Sequence, residues 1–531
     1  MFQRLHYKWI VGILVTLYVC IQVYCIQQLS INYDEGLFAL YGVTLLKLQG
    51  KKDIVKFDSK LPITAVNMIP RAVEQVLHPG LVRPNDVKDI VHGRSVSLLA
   101  SVLLALLIFH WSSLLYGNKA GLAALVIYLL CPNFLAHGVF VSPDIFACLF
   151  MTACFYYTWK FNNSGKTVYF LLLCLFISLA QISKFSMVHL LLLVPLLLIA
   201  GHLLNRKIHL YPAFSKTKII GFVFLFVAIN WLVICAAHLF YGLFIPLSNY
   251  EFCSTAFQQL QHIFHGWNLV VPLPASYFES LDMVVYLDRL GAGTTNGSQA
   301  SFYVLGNNST HGFWYYYFVV CWYKLPISLL LILATTFFLY FKKWNRTVFL
   351  QNEMYLLVPA FYFLVYLSFF YSTQIGIRHI IIILPLLYIY AGFLFSQLKT
   401  KTSRYAVYTL LAWQFVSVGL YFPHFLPYTN EFITDKKMAY KKIADTNICY
   451  GEGLKFLMQY LKSHPEAQCQ PKKISAGKII MEVNEMLNIN VRTAGRFDWI
   501  RGLTPSGHIH SQYLIFDVSQ ATADSISKAR F

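Results

Sequence analysis

Apolar runs of bilayer length follow one another from Trp9 to Phe422, and they leave this chain few ways to fold. A helix needs roughly twenty apolar residues to cross a hydrocarbon core. In lipid each backbone polar group must be satisfied internally, so such runs become helices. The 531 residues are 57% hydrophobic and 12% charged, which excludes an ordinary soluble globular protein. A net charge of +19 invites a nucleic-acid reading. The basic residues instead fall in short clusters between apolar runs, as membrane topology requires, so no nucleic-acid partner is expected.

The expected spans are 9–26, 95–116, 120–140, 145–159, 167–180, 188–204, 219–243, 313–341, 354–371, 380–395 and 405–422, about eleven in all. The basic start before Trp9 lacks a small-residue cleavage pattern after the apolar run, so the first span is read as uncleaved with a cytoplasmic N-terminus. Lys119, Lys160, Lys166, Arg206, Lys207, Lys216, Lys218, Lys342, Lys343, Arg346, Lys399, Lys401 and Arg404 then fall on one side, the cytoplasmic one. The opposite, exoplasmic side receives a first loop at 27–92, a large loop at 244–312 and a C-terminal region at 423–531. The first loop holds helix-like runs at 37–48 and 61–77, suited to lying at the interface, with Pro62 in a first turn. The C-terminal region reads as a small α+β unit: an amphipathic helix within 446–466 and strands at 478–483 and 512–518. Domain organisation is therefore a transmembrane unit over 1–422 and a small exoplasmic unit over 423–531.

Ionisable groups near membrane depth are expensive and mark function by default. Asp34 and Glu35 follow the first span, where Asn32 can cap a helix and the macrodipole favours ionised acids. Arg94, Asp144, Lys184 and Arg378 lie at exoplasmic ends of spans, and Lys60 and His137 join the same face. Each alone is explained by snorkelling or a structural ion pair. Together they suit transfer from a phosphate-linked donor, with cations holding the phosphate and a carboxylate activating the acceptor oxygen. A transporter is the alternative from another class, although midplane charges on broken, repeated helices are not evident. Glu35, His137 and His265 are candidate ligands for a divalent metal, with no spacing that demands one. Cys449 and Cys469 can pair if their compartment is oxidising. Asn296, Asn307 and Asn308 begin sequons on the exoplasmic side, and Asn162 begins one on the cytoplasmic side.

These motifs resemble, in order, the polyprenyl-phosphate-dependent glycosyltransferases of GT-C fold, in the branch of protein O-mannosyltransferases and lipid A aminoarabinose transferases. Tyr33-Asp34-Glu35 is similar to that family's acidic signature. Asp58-Ser59-Lys60-Leu61-Pro62-Ile63 with Asn67 and Pro70 resembles the loop that follows in bacterial members. Gly93-Arg94-Ser95 and His137-Gly138 with Asp144 resemble its next motifs. Leu305-Gly306-Asn307-Asn308-Ser309, Gly312-Phe313-Trp314-Tyr315-Tyr316 and Lys324-Leu325-Pro326 resemble its loop-to-span signature. Ile375-Gly376-Ile377-Arg378-His379 and Leu384-Pro385 follow, then Pro427-Tyr428-Thr429-Asn430-Glu431 and Ala444-Asp445-Thr446-Asn447. Where bacterial members proceed through Asp-Trp-Gly-Gln, this chain has Cys449-Tyr450-Gly451-Glu452.

The resemblance implies an inverting hexosyl- or pentosyltransferase with a polyprenyl-phosphate sugar as donor and a protein, lipid or cell-surface glycan as acceptor. It implies a site at the exoplasmic face, enclosed by the 27–92 and 244–312 loops, in the plasma or endoplasmic reticulum membrane. Asp34, Glu35 and Asp144 are the expected catalytic carboxylates, with Asp34 as base and Glu35 supporting it by holding a loop cation or metal. Lys60, Arg94, Lys184 and Arg378 are expected on the donor phosphate, and His137, Trp314 and Tyr315 on the substrate. A GT-C-like protein that has lost catalysis is the remaining alternative.

Overall fold

The computed structural model describes residues 2–47, 61–78, 90–206, 215–267, 269–291, 301–489 and 495–529. Lys60, Lys207 and Asn296 lie outside the described residues. The architecture is predominantly helical. Among the described residues, three helices are long and apolar enough to cross a membrane, within Tyr7–Gln28, Val91–Tyr116 and Lys216–Ala237. On the last of these Ile220, Val223, Phe224, Val227 and Leu232 are exposed, an apolar band that water would penalise and lipid would not.

The expected count of about eleven is a count of apolar runs, and several runs do not form one straight helix. The 313–341 run breaks into Tyr316–Lys324 and Ile327–Lys342, bent by 115°. Pro326 explains the break: it lacks an N–H and holds Leu325 extended, at ψ 138°. The 120–140 run stops similarly at Leu129, and Pro132 opens the short helix Pro132–His137. Counting the bent pair as one span brings the number to four.

The buried centre lies where Val91–Tyr116, Asn118–Leu129, Asp144–Ser164 and Leu384–Ser396 pack together. Helix Asp144–Ser164 is buried on nearly every face. In the first loop, helices Glu35–Leu46 and Thr64–Leu77 pack against each other. The second begins at Thr64, two residues beyond Pro62, because Leu61-Pro62-Ile63 forms the turn that leads into it.

The C-terminal region carries an amphipathic helix, Leu454–Ser463, and a four-stranded sheet. Its central strands Gly477–Glu482 and Tyr513–Val518 pair antiparallel, each within a residue or so of the expected bounds. Short strands Gln468–Cys469 and Gly507–Ile509 form the edges. Tyr303, from hairpin Phe302–Val304/Asn307–Ser309, joins the sheet's core. Cys449 and Cys469 are free thiols: the first is buried with its Sγ 3.4 Å from Glu482, the second exposed on the edge strand.

Candidate active site

Asp34 is presented by a capping box. Asn32 Oδ1 accepts from the backbone N–H groups of Asp34 (3.0 Å) and Glu35 (2.9 Å), and Glu35 Oε2 accepts from Asn32 N–H at 2.9 Å. This reciprocal pairing fixes the start of helix Glu35–Leu46 and sends the two carboxylates in different directions. Glu35 turns inward and is fully buried. Asp34 turns outward, its side chain one-third exposed.

Arg378 meets Asp34 from the far end of the chain, Nη1 donating to Oδ2 at 2.7 Å. Its backbone is set by a network. Gly376 adopts φ +65°, and a Cβ there would sit 2.1 Å from Thr446 Oγ1. Gly376 N–H donates to Tyr316 OH, and Ile377 N–H donates to Asn447 Oδ1. Asn447 is anchored in turn by buried Lys324, whose Nζ donates to the carbonyls of Leu426, Tyr428 and Asn447 at 2.6, 2.9 and 2.8 Å. The carbonyl of Arg378 accepts from Lys184 Nζ at 3.3 Å, and the same Nζ pairs with Asp144 Oδ1 at 2.8 Å.

Asp34, Asp144, Lys184 and Arg378 all line one cavity of about 500 Å³. Its other walls are mostly apolar. Phe38 and Leu61 come from the first loop, and Phe257, Leu281, Val284 and Leu287 from the large loop. Asp288 ties that loop to the wall, its Oδ1 accepting from the N–H groups of Ser372 and Thr373 at 2.7 and 2.9 Å. Two cations and two anions leave the lining formally neutral. Arg378 is engaged by Asp34 and Tyr450 through Nη1, and its Nε has no hydrogen-bond partner among the described residues, so the guanidinium keeps donors for an incoming phosphate.

Several of the expected site residues do not line the cavity. Arg94 does not reach the cavity. Its five N–H groups go to both Glu35 oxygens and to the carbonyls of Ile26, Leu29 and Ser30, so no donor remains for a phosphate. Glu35 is equally committed, to Arg94, Asn32 N–H and Val141 N–H. Its expected partner is a cation of the first loop or a metal; the cation paired with Glu35 is instead Arg94, on helix Val91–Tyr116. Trp314 is 61% exposed and stacks on Phe369, while Tyr315 lies against Phe313; neither lines the cavity. His137 is buried beside Phe140. His265 is exposed, and among the described residues no group of three His, Cys, Asp or Glu side chains could hold a metal.

Residues 87–234 match the family model of dolichyl-phosphate-mannose-protein mannosyltransferase. The match takes in Arg94, His137, Asp144 and Lys184 but neither Asp34 nor Arg378. Among solved structures, ArnT from Cupriavidus metallidurans bound to undecaprenyl phosphate aligns at TM-score 0.49 and 13% identity, over 78% of this chain and 64% of that one. The apo form of ArnT from Cupriavidus metallidurans aligns at TM-score 0.45 and 12% identity, over 78% and 63%. The chain thus spans less than two thirds of the length of these solved chains. Comparison with curated proteins finds no match.

Three groups at the site stand in the sequence only as members of motifs, with no role of their own. Tyr450 donates to Asp34 Oδ2 at 2.5 Å and also contacts Arg378. His379 lines the cavity, and its Nδ1 is buried with no hydrogen-bond partner among the described residues. Burial, followed by the Lys184 and Arg378 charges, pushes its imidazole well below the usual range, so it stays neutral. Asp445 sits in a left-handed turn at φ +60°. Burial pushes its carboxyl up to about 6, against the opposing pull of Arg378.

Proposed function

We propose that this chain is an inverting GT-C glycosyltransferase that moves a sugar from a polyprenyl-phosphate donor to an acceptor hydroxyl at the exoplasmic face of a membrane. One observation carries the reading: a carboxylate with a free oxygen and two cations share one cavity whose remaining walls are mostly apolar. Oδ1 of Asp34 has no hydrogen-bond partner among the described residues, so it can take the acceptor proton. The acceptor oxygen then bonds to the anomeric carbon as the bond from that carbon to the phosphate oxygen breaks. Arg378 and Lys184 receive the charge that develops on the departing polyprenyl phosphate. The apolar walls suit an isoprenoid chain. The family match over 87–234 supports the same donor class. The direct test offers purified protein a panel of polyprenyl-phosphate sugars and measures release of polyprenyl phosphate; no release from any donor overturns the reading.

Arg378 supplies a planar fork of donors that a lysine ammonium cannot reproduce. Arg378→Lys is expected to raise the donor KM by about tenfold or more, because one good charge-assisted contact is worth about that much. Steady-state kinetics with varied donor checks it, and an unchanged KM would leave Arg378 as an anchor for Asp34 alone.

The exoplasmic placement has its own test. Exposed Cys20, Cys253 and Cys469 are replaced by serine, and single cysteines are introduced at Ser298 or Ser527. Both positions are expected to label from outside intact cells. Labelling from opposite sides would overturn the even number of spans, four, expected between the two positions.

A further inference from the structure

We infer that Tyr450 is a positioning residue of the transfer reaction: its hydroxyl holds Oδ2 of Asp34 so that Oδ1 faces the acceptor. The inference deepens the proposed role of Asp34 as base and rests on it.

A carboxylate has two equivalent oxygens and rotates about its own axis. At this site the symmetry is broken. Oδ2 accepts from Arg378 Nη1 at 2.7 Å and from Tyr450 OH at 2.5 Å. Oδ1 has no partner among the described residues. Arg378 has a second task in the proposed reaction, to receive the charge that develops on the departing phosphate, so its hold on Oδ2 is shared. Tyr450 can keep its hold throughout. It is 2% exposed, with its ring edge-on to Phe140 at 6.0 Å and the Arg378 guanidinium 4.9 Å over its face.

The backbone delivers this hydroxyl by a clamp that joins the C-terminal region to the first loop. Tyr33 N–H donates to the Tyr450 carbonyl at 3.0 Å, and Ser30 N–H donates to the Glu452 carbonyl at 2.8 Å. Gly451, at φ +90°, lies so close that a Cβ would stand 2.9 Å from the Tyr33 ring. Glu452 locks the turn from within. Its Oε2 accepts from Tyr450 N–H at 3.0 Å, and its Oε1 pairs with His424 at 2.5 Å and also accepts from Gln512. These contacts set the Tyr450 phenol against one carboxylate oxygen of Asp34, so the C-terminal region contributes a group to the site.

The test is Tyr450→Phe, which removes the hydroxyl and keeps the ring between Phe140 and Arg378. With Oδ1 no longer held towards the acceptor, kcat is expected to fall about tenfold while donor KM stays within about twofold. A rise in donor KM with kcat intact overturns the inference, since Tyr450 would then serve Arg378. A wild-type kcat overturns it too, as does a fall in melting temperature that accounts for the lost rate. Asp34→Asn in the same assay separates the two ideas: if it is inactive while Tyr450→Phe is normal, only the inference falls, and if it is active, the role of Asp34 falls first.

Discussion

Asp34→Asn is expected to lower turnover by about a hundredfold or more while the protein folds and binds donor at least as tightly as wild type. The amide keeps one acceptor oxygen, which can take the Tyr450 hydroxyl and the Arg378 Nη1 that Oδ2 now receives. Its NH2 then occupies the position of Oδ1 and presents a donor where the acceptor hydroxyl needs a base. Chemistry is lost with little change in shape. Donor affinity moves the other way, because Arg378 is paired with Asp34 before donor arrives. Removing that negative charge frees the guanidinium for phosphate. Turnover with a polyprenyl-phosphate sugar, donor Kd by calorimetry and thermal melting check the three parts. Near-normal turnover, or donor binding lost in step with rate, would sink the assignment. A passive carrier would keep most of its activity in this variant.

The gathering of Asp34, Asp144, Lys184 and Arg378 was legible in the sequence because charges at the ends of apolar spans need partners, and topology put all four on one face. What the sequence could not show was which charges neutralise one another. Glu35 and Arg94 carry the same signal as Asp34 and Arg378, a polar residue in an apolar setting. They differ by facing inward, and that difference comes from a capping box whose hydrogen bonds no periodicity reveals. Tyr450 stood in the sequence only inside a four-residue stretch that departs from the pattern it resembles, with nothing to tie it to Asp34. Their contact joins residues 416 positions apart. The broken spans were half legible, since Pro132 and Pro326 are visible in the sequence, but a proline does not say how far a helix will bend.

Glu35→Gln tests the division of labour between the adjacent acids, and its expected effect is on stability. The carboxylate receives four N–H groups: Oε1 takes Arg94 Nε at 2.8 Å and Val141 N–H at 2.9 Å, and Oε2 takes Arg94 Nη2 at 2.6 Å and Asn32 N–H at 2.9 Å. A glutamine has one oxygen, so two of these four donors would meet an NH2. The Arg94 charge would also stay buried, at 1% exposure, without its anion. Breaking a buried pair by removing one partner costs about 3–5 kcal/mol, against the roughly 5–15 kcal/mol by which proteins are stable. A large drop in melting temperature is expected, with measurable turnover in the fraction that remains folded, since Glu35 does not line the cavity. The double variant Glu35→Leu, Arg94→Met removes both charges together. It should melt above the sum of the two single losses, because neither charge is left unpaired. Melting curves and turnover per folded molecule for the singles and the double decide the matter. Should Glu35→Gln melt like wild type and still lose its turnover, Glu35 takes part in the chemistry, and the base must be reassigned from Asp34.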